Sequence, residues 1–151
     1  MSKSKVVKKY KGYIFDLDGT IYLDEKLIPG ARELILNLRK AGHRTIFLSN
    51  NPTKNPQMYA DKLTRLGIPT DELDIVNTVV AMVLWLKENA QDKKVYAIAE
   101  APLIDAIKSA GIEYSENPEE IDIVIASFDR QFTWQKFQIA FDALWFHKRA
   151  I

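Results

Sequence analysis

Cysteine is absent from this 151-residue chain, which excludes disulfides and thiolate metal ligands and fits a reducing compartment. Net charge is nearly absent as well. With 21 basic side chains against 20 acidic ones, the chain has no general pull toward nucleic acid. Long apolar runs are missing too: the longest, Val79 to Leu86, falls far short of the roughly 20 residues that a membrane-spanning helix needs. The lysines at 3, 5, 8, 9 and 11 precede no apolar segment of a secretory signal, so the basic N-terminus reads as a solvated arm. Repeats and low-complexity tracts are lacking. These absences predict a cytoplasmic protein with no nucleic-acid or membrane partner.

What is present is an ordinary globular composition and an alternation of strand and helix patterns. Tyr13-Ile14-Phe15 is a short apolar strand. Ile21-Tyr22-Leu23 and Lys26-Leu27-Ile28 flank Asp24-Glu25 as a small hairpin, closed by Pro29-Gly30. From Ala31, Leu34, Ile35 and Leu38 recur at helical spacing until Gly42, and Arg44 to Ser49 follows as a second strand. Met58, Tyr59, Leu63 and Leu66 predict a second helix ended by Gly67, and Asp74 to Asn77 an extended piece. Thr78 is the expected N-cap of a third helix, Val79 to Asn89, apolar on most faces and expected to be buried, with Met82 and Trp85 in the core. After the polar break Gln91 to Lys94 the alternation restarts. Val95 to Ala99 and Ile121 to Ala126 read as strands, Leu103 to Ala110 as a helix. Thr133 caps a last helix carrying Trp134, Phe137, Phe141 and Trp145. The two histidines read as structural, His147 as a favourable charge near a helix end and His43 before the second strand.

The chemistry concentrates where the first strand ends, in Asp16-Leu17-Asp18-Gly19-Thr20. Strand residues two apart share a face, so Asp16 and Asp18 look toward one point beyond the sheet. A hard divalent cation such as Mg2+ relieves the repulsion between two such acids and engages phosphate. Gly19 permits a sharp turn, and Thr20 braces it. The second strand ends in Ser49-Asn50-Asn51-Pro52-Thr53. Taken alone these are turn residues; beside the Asp pair they read as a ligand loop, because parallel strands joined by a helix present both ends on one edge.

The first of these stretches resembles the opening motif of the haloacid dehalogenase superfamily, Asp-x-Asp-x-Thr after an apolar strand, and Ser49 matches its second motif. Ile28-Pro29-Gly30-Ala31, Asn50-Asn51, Ile98-Ala99-Glu100-Ala101-Pro102-Leu103 and Phe128-Asp129-Arg130-Gln131-Phe132-Thr133 are similar to the NagD-like branch. That branch includes p-nitrophenyl phosphatases, phosphoglycolate phosphatases and AraL-type sugar phosphatases. Where family members carry a glycine after the Glu100 position, this chain has Ala101.

The resemblance implies an α/β fold: a doubly wound, Rossmann-like parallel sheet with an inserted α/β cap. Residues 1–92 would be the N-terminal part of the core and 93–151 the first part of the cap, both incomplete. It also implies Mg2+-dependent hydrolysis of a small phosphorylated metabolite through an aspartyl-phosphate, with a homo-oligomer compatible. Asp16 would be nucleophile and metal ligand, Asp18 acid/base and, through its carbonyl, a second ligand. Ser49, Asn50 and Asn51 would hold phosphate or substrate. The third-motif lysine and fourth-motif acids have no counterpart up to Ile151. An alternative is therefore a catalytically incompetent binding or interaction module on the same fold. A third reading, carbon–halogen hydrolysis, would use the same nucleophile, but dehalogenases of the superfamily lack the acid at the Asp18 position.

Overall fold

The computed structural model describes residues 10–146. The lysines at 3, 5, 8 and 9 and His147 lie outside the described residues. Strand β1 (Gly12–Asp16) pairs in parallel with β4 (Arg44–Ser49), which pairs in parallel with β5 (Ile75–Asn77), giving the order β1-β4-β5. Between β1 and β4 run the hairpin β2 (Tyr22–Leu23) and β3 (Lys26–Leu27) and helix α1 (Ala31–Lys40). Helix α2 (Pro56–Arg65) and a 3-10 turn (Glu72–Asp74) join β4 to β5. This α/β alternation with parallel strands is the expected core.

Register and alternation divide the sheet faces unequally. Phe15, Phe47 and Ile75 face α1 and α2 and pack with Ile35, Tyr59 and Leu63 in one cluster, which also takes in Leu17, Ile21 and Tyr22. The opposite face carries Ile14, Asp16, Ile46, Leu48 and Val76, aligned by the pairs Ile14↔Ile46, Asp16↔Leu48 and Leu48↔Val76. That face is open, with Ile14 71% and Leu48 48% exposed.

Local chemistry explains the helix ends. Asn55 accepts from the Met58 amide at 2.9 Å ahead of Pro56, a residue suited to the first helical turn. Gly67 ends α2 at φ 88°, and a Cβ there would meet the Arg32 side chain at 3.0 Å. Arg32 donates to the Gly67 carbonyl at 2.9 Å, tying α1 to α2. His43 packs edge-on against the Tyr13 ring, a structural role as expected.

Helix α3 (Thr78–Asn89) departs from expectation in two respects. Its N-cap is Asn77, whose side chain accepts from the Val80 amide at 3.1 Å, rather than Thr78. The helix is also not buried all round, because Leu84 and Trp85 are exposed while Val79 and Leu86 are buried. Met82 packs from the margin of the cluster formed by Val79, Leu86, Val95, Ala97, Leu103 and Ile125. That cluster belongs to a second parallel pair, β6 (Val95–Ile98) with β7 (Ile123–Ala126), and helix α4 (Ala101–Ser109). Ile121, read as strand, precedes β7 as a fully buried anchor. Helix α5 (Trp134–Phe141) is capped by Thr133, which accepts from the Lys136 amide, and runs into a π-helical stretch, Asp142–Phe146.

The β6 and β7 ends are fastened by charge. Glu100 accepts from the Arg130 backbone amide at 2.9 Å and from its guanidinium at 2.8 and 2.7 Å. Lys136 bonds Asp129 and the Ala99 carbonyl. Arg130 holds the Glu100 carboxyl down at about 2, from an ordinary value of 4.5. A carboxylate depressed in the folded state adds stability above its unfolded pKa and loses it as pH falls through the folded one. Between about pH 4.5 and pH 2, the native chain is therefore expected to lose stability more steeply than a Glu100→Gln variant. Urea melts across that range check this; parallel curves would remove Glu100 from the account.

Candidate active site

The two parallel strands β1 and β4 end side by side, and their ends build the site. Asp16 is the last residue of β1 and Ser49 the last of β4, with Asp16 opposite Leu48 in register. Beyond Asp16 the chain turns at once. Leu17 is fully buried and its carbonyl accepts from the amides of Thr20, Ile21 and Tyr22, while the Gly19 amide donates to the Tyr22 carbonyl at 2.8 Å. Gly19 sits at φ 80°, which a side chain would strain. The burial of Leu17 fixes which way its neighbours point. Asp16 and Asp18 are both exposed, and Thr20 Oγ1 donates to Asp16 Oδ2 at 3.3 Å.

Asp16, Leu48, Ser49, Asn50, Val76, Asn77, Thr78 and Ala81 line one cavity of about 390 Å3. A second cavity of about 270 Å3 adjoins it at Asn50 and Thr78 and continues to Met82, Leu103 and the Ala126-Ser127-Phe128 turn after β7. Asp16, Ser49 and Asn50 thus meet in one place. Asp18, on the turn after β1, lies outside that lining, and so does Asn51 on the loop after β4, whose side-chain oxygen is taken up by the Thr53 amide and hydroxyl at 2.9 and 2.8 Å. Neither Asp16 nor Asp18 has a lysine or arginine within ion-pair distance among the described residues.

The sequence of residues 13–113 matches the family described as haloacid dehalogenase-like hydrolase. The chain belongs to that family. It is 36% identical over 132 residues to the sugar-phosphatase AraL of Bacillus subtilis, covering 87% of this chain and 48% of AraL. It is 34% identical over 133 residues to the 5'-nucleotidase YutF of the same organism, covering 88% of this chain and 51% of YutF. Among solved structures, NagD from E. coli K-12 superposes with a TM-score of 0.78 at 25% identity, covering 88% of this chain and 52% of NagD. The chain spans about half the length of the relatives it matches.

In this haloacid dehalogenase-like chain the support beneath the site comes from α2, whose role sequence periodicity does not disclose. Tyr59 and Lys62 are buried there. The Lys62 ammonium lies 3.7 Å from the centre of the Tyr22 ring and 3.4 Å from Glu25. The Tyr22 hydroxyl is buried with no hydrogen-bond partner, and burial first, then the charge of Asp18, pushes its phenol far above the ordinary range. Burial likewise raises Tyr59, against a lowering contribution from its bond to Ser49. Tyr59 scores as one more apolar position in a helical pattern, and only its hydroxyl sets it apart. Thr78 was also misread by pattern: its hydroxyl bonds the Asn50 carbonyl at 3.4 Å and its side of the helix lines the cavity.

Proposed function

We propose that this chain carries the nucleophile half of a cytoplasmic, Mg2+-dependent phosphatase acting on small phosphate monoesters, of the sugar-phosphate or nucleotide type that its relatives' names indicate. The observation that supports it most is the meeting of Asp16 with Ser49 and Asn50 in one cavity at the ends of two parallel strands. Carboxylate and carbonyl oxygens are the donors a hard divalent cation takes, and the exposed Asp pair, with no protein cation beside it among the described residues, fits one. The Asp16 carboxylate and the Asp18 carbonyl would hold it. When bound, the ion supplies charge neutralisation between an anionic phosphate and an anionic nucleophile.

In this reading an Asp16 carboxylate oxygen bonds to phosphorus as the ester oxygen–phosphorus bond breaks. Asp18, protonated, gives its proton to the leaving oxygen. Water then attacks the aspartyl-phosphate, Asp18 takes a proton from it, and phosphate leaves with Asp16 regenerated. Ser49 and the amides around Asn50 hold the phosphoryl oxygens, where positioning and electrostatics do most of the catalytic work. Asn51 braces that loop through Thr53. The second cavity, toward Phe128, receives the rest of the substrate, and the division of the chain near Lys93 into core and cap portions belongs to the same reading.

The test uses a form of the protein that spans the full length of its relatives, assayed with p-nitrophenyl phosphate. Turnover is expected only with Mg2+ and to cease on chelation. Asp18→Asn keeps the nucleophile and the carbonyl ligand but removes proton transfer, a loss on the order of 100-fold to 10,000-fold. Normal rates of phosphorylation and dephosphorylation in that variant, measured by rapid quench, would rule Asp18 out as the acid/base.

A further inference from the structure

Ser49 is 3% exposed, and its hydroxyl is already engaged. The Asn51 amide donates to Ser49 Oγ at 3.2 Å, Ser49 Oγ donates to the Tyr59 hydroxyl at 3.1 Å, and the Tyr59 hydroxyl donates to the Asn51 carbonyl at 3.3 Å. These three bonds close a ring that uses both backbone groups of Asn51. A serine hydroxyl has one proton, and here Tyr59 holds it.

We propose that Tyr59 is a positioning residue that sets the direction of the Ser49 hydroxyl, holding its proton until a phosphoryl oxygen arrives and releasing it then. The release needs only rotation of two hydroxyls. Tyr59 turns its proton from the Asn51 carbonyl to Ser49 Oγ, so Ser49 accepts from both Tyr59 and the Asn51 amide and donates to the anion. Serine oxygen can accept twice while donating once, so no new atom is required. The Asn51 carbonyl gives up its longest ring bond, and no covalent bond changes. A phenylalanine in place of Tyr59 would fill the same space in the cluster but could neither hold nor replace the proton.

Two features suit Tyr59 to this task. It is buried on α2, packed with Leu63, Phe47 and Ile35, so its ring is held while its hydroxyl rotates. The Lys54 ammonium lies 5.6 Å from the centre of its ring, on the loop between β4 and α2, which places a cation beside the same loop. The inference rests on the phosphatase reading for the identity of the anion, but the ring itself does not.

Ultraviolet resonance Raman spectroscopy of the 151-residue chain reads whether a phenol hydroxyl donates or accepts, and the Tyr59→Phe difference spectrum isolates Tyr59. Ser49→Ala should convert Tyr59 from acceptor and donor to donor alone and, by removing the acceptor of the Asn51 amide, speed hydrogen exchange at that amide roughly tenfold, the effect of one lost hydrogen bond. An unmoved Tyr59 signature in Ser49→Ala overturns the ring. In a form of the protein that spans the full length of its relatives, inorganic phosphate with Mg2+ should then shift the Tyr59 signature and leave it unmoved in Ser49→Ala, while the 31P line width reports binding itself. Phosphate that binds without moving Tyr59 overturns the switch. An unchanged 31P line overturns the phosphate reading and the switch with it, and leaves the ring to be judged on the Ser49→Ala spectrum.

Discussion

Asp16→Asn is expected to reduce phosphoester hydrolysis by a full-length form to background, with the fold kept. An amide has the size of a carboxylate but neither its charge nor its nucleophilicity, so the bond to phosphorus cannot form. The position asks little of Asp16 structurally: it is exposed at the end of β1, and its only side-chain bond among the described residues is the 3.3 Å contact from Thr20, which a carboxamide oxygen also accepts. Loss of activity would therefore report chemistry and not collapse. Two measurements separate these. Acid quench during turnover should trap a phosphorylated aspartate in the native enzyme and none in Asp16→Asn, and thermal melts of the two should agree closely. Turnover that survives the substitution would remove Asp16 as nucleophile and with it the assigned mechanism.

The parts of this fold that sequence disclosed were those set by local rules. Strand β4 was legible in full because Ile46-Phe47-Leu48 sits between Arg44 and a polar loop. Helix α1 was legible from Ala31 because Leu34, Ile35 and Leu38 are spaced for one face, and the Asp16 turn because its residue types leave few alternatives. What escaped was decided by tertiary contact. Asn77 captures the α3 cap because, at the end of β5, its side-chain oxygen reaches the Val80 amide while its amide group bonds the Lys54 carbonyl at 2.7 Å. Thr78 is thereby freed to face the cavity. Tyr59 is apolar by pattern and polar by one atom, and periodicity cannot see that atom. Trp85 is apolar yet half exposed, on the rim of an open hollow that it lines with Met82 and the β7 residues Ile123 to Ala126. Hydropathy reports what a residue prefers, not whether a neighbour is there to satisfy it.

That unsatisfied surface leads to a second large effect: residues 1–151 expressed alone are expected to show no Mg2+-dependent turnover of p-nitrophenyl phosphate and to self-associate. All-parallel sheets are ordinarily covered on both faces, whereas here Ile14, Leu48 and Val76 lie open on the face away from α1 and α2. Strand β1 pairs with β4 alone among the described residues, so its other edge offers free backbone groups to any passing strand. Helix α5 and the π-helical stretch after it add a row of rings, Trp134, Phe137, Phe141 and Trp145, with successive centres 5.3 to 6.3 Å apart and Trp134 72% exposed. Apolar surface of this kind drives association. The same geometry accounts for inactivity, because Asp16 stands on the open face with Leu48 and Val76, so whatever covers that face also walls the candidate site. Uncovered, the site leaves its carboxylates in bulk water, where a divalent ion keeps most of its hydration and electrostatic stabilisation is screened. No cluster of three or more metal-ligating side chains exists among the described residues to hold the ion more firmly. Sedimentation velocity and a phosphatase assay on the same sample decide the matter. A monodisperse monomer that turns over substrate with Mg2+, and stops doing so on Asp16→Asn, would show that the open face needs no cover and that two carboxylates suffice.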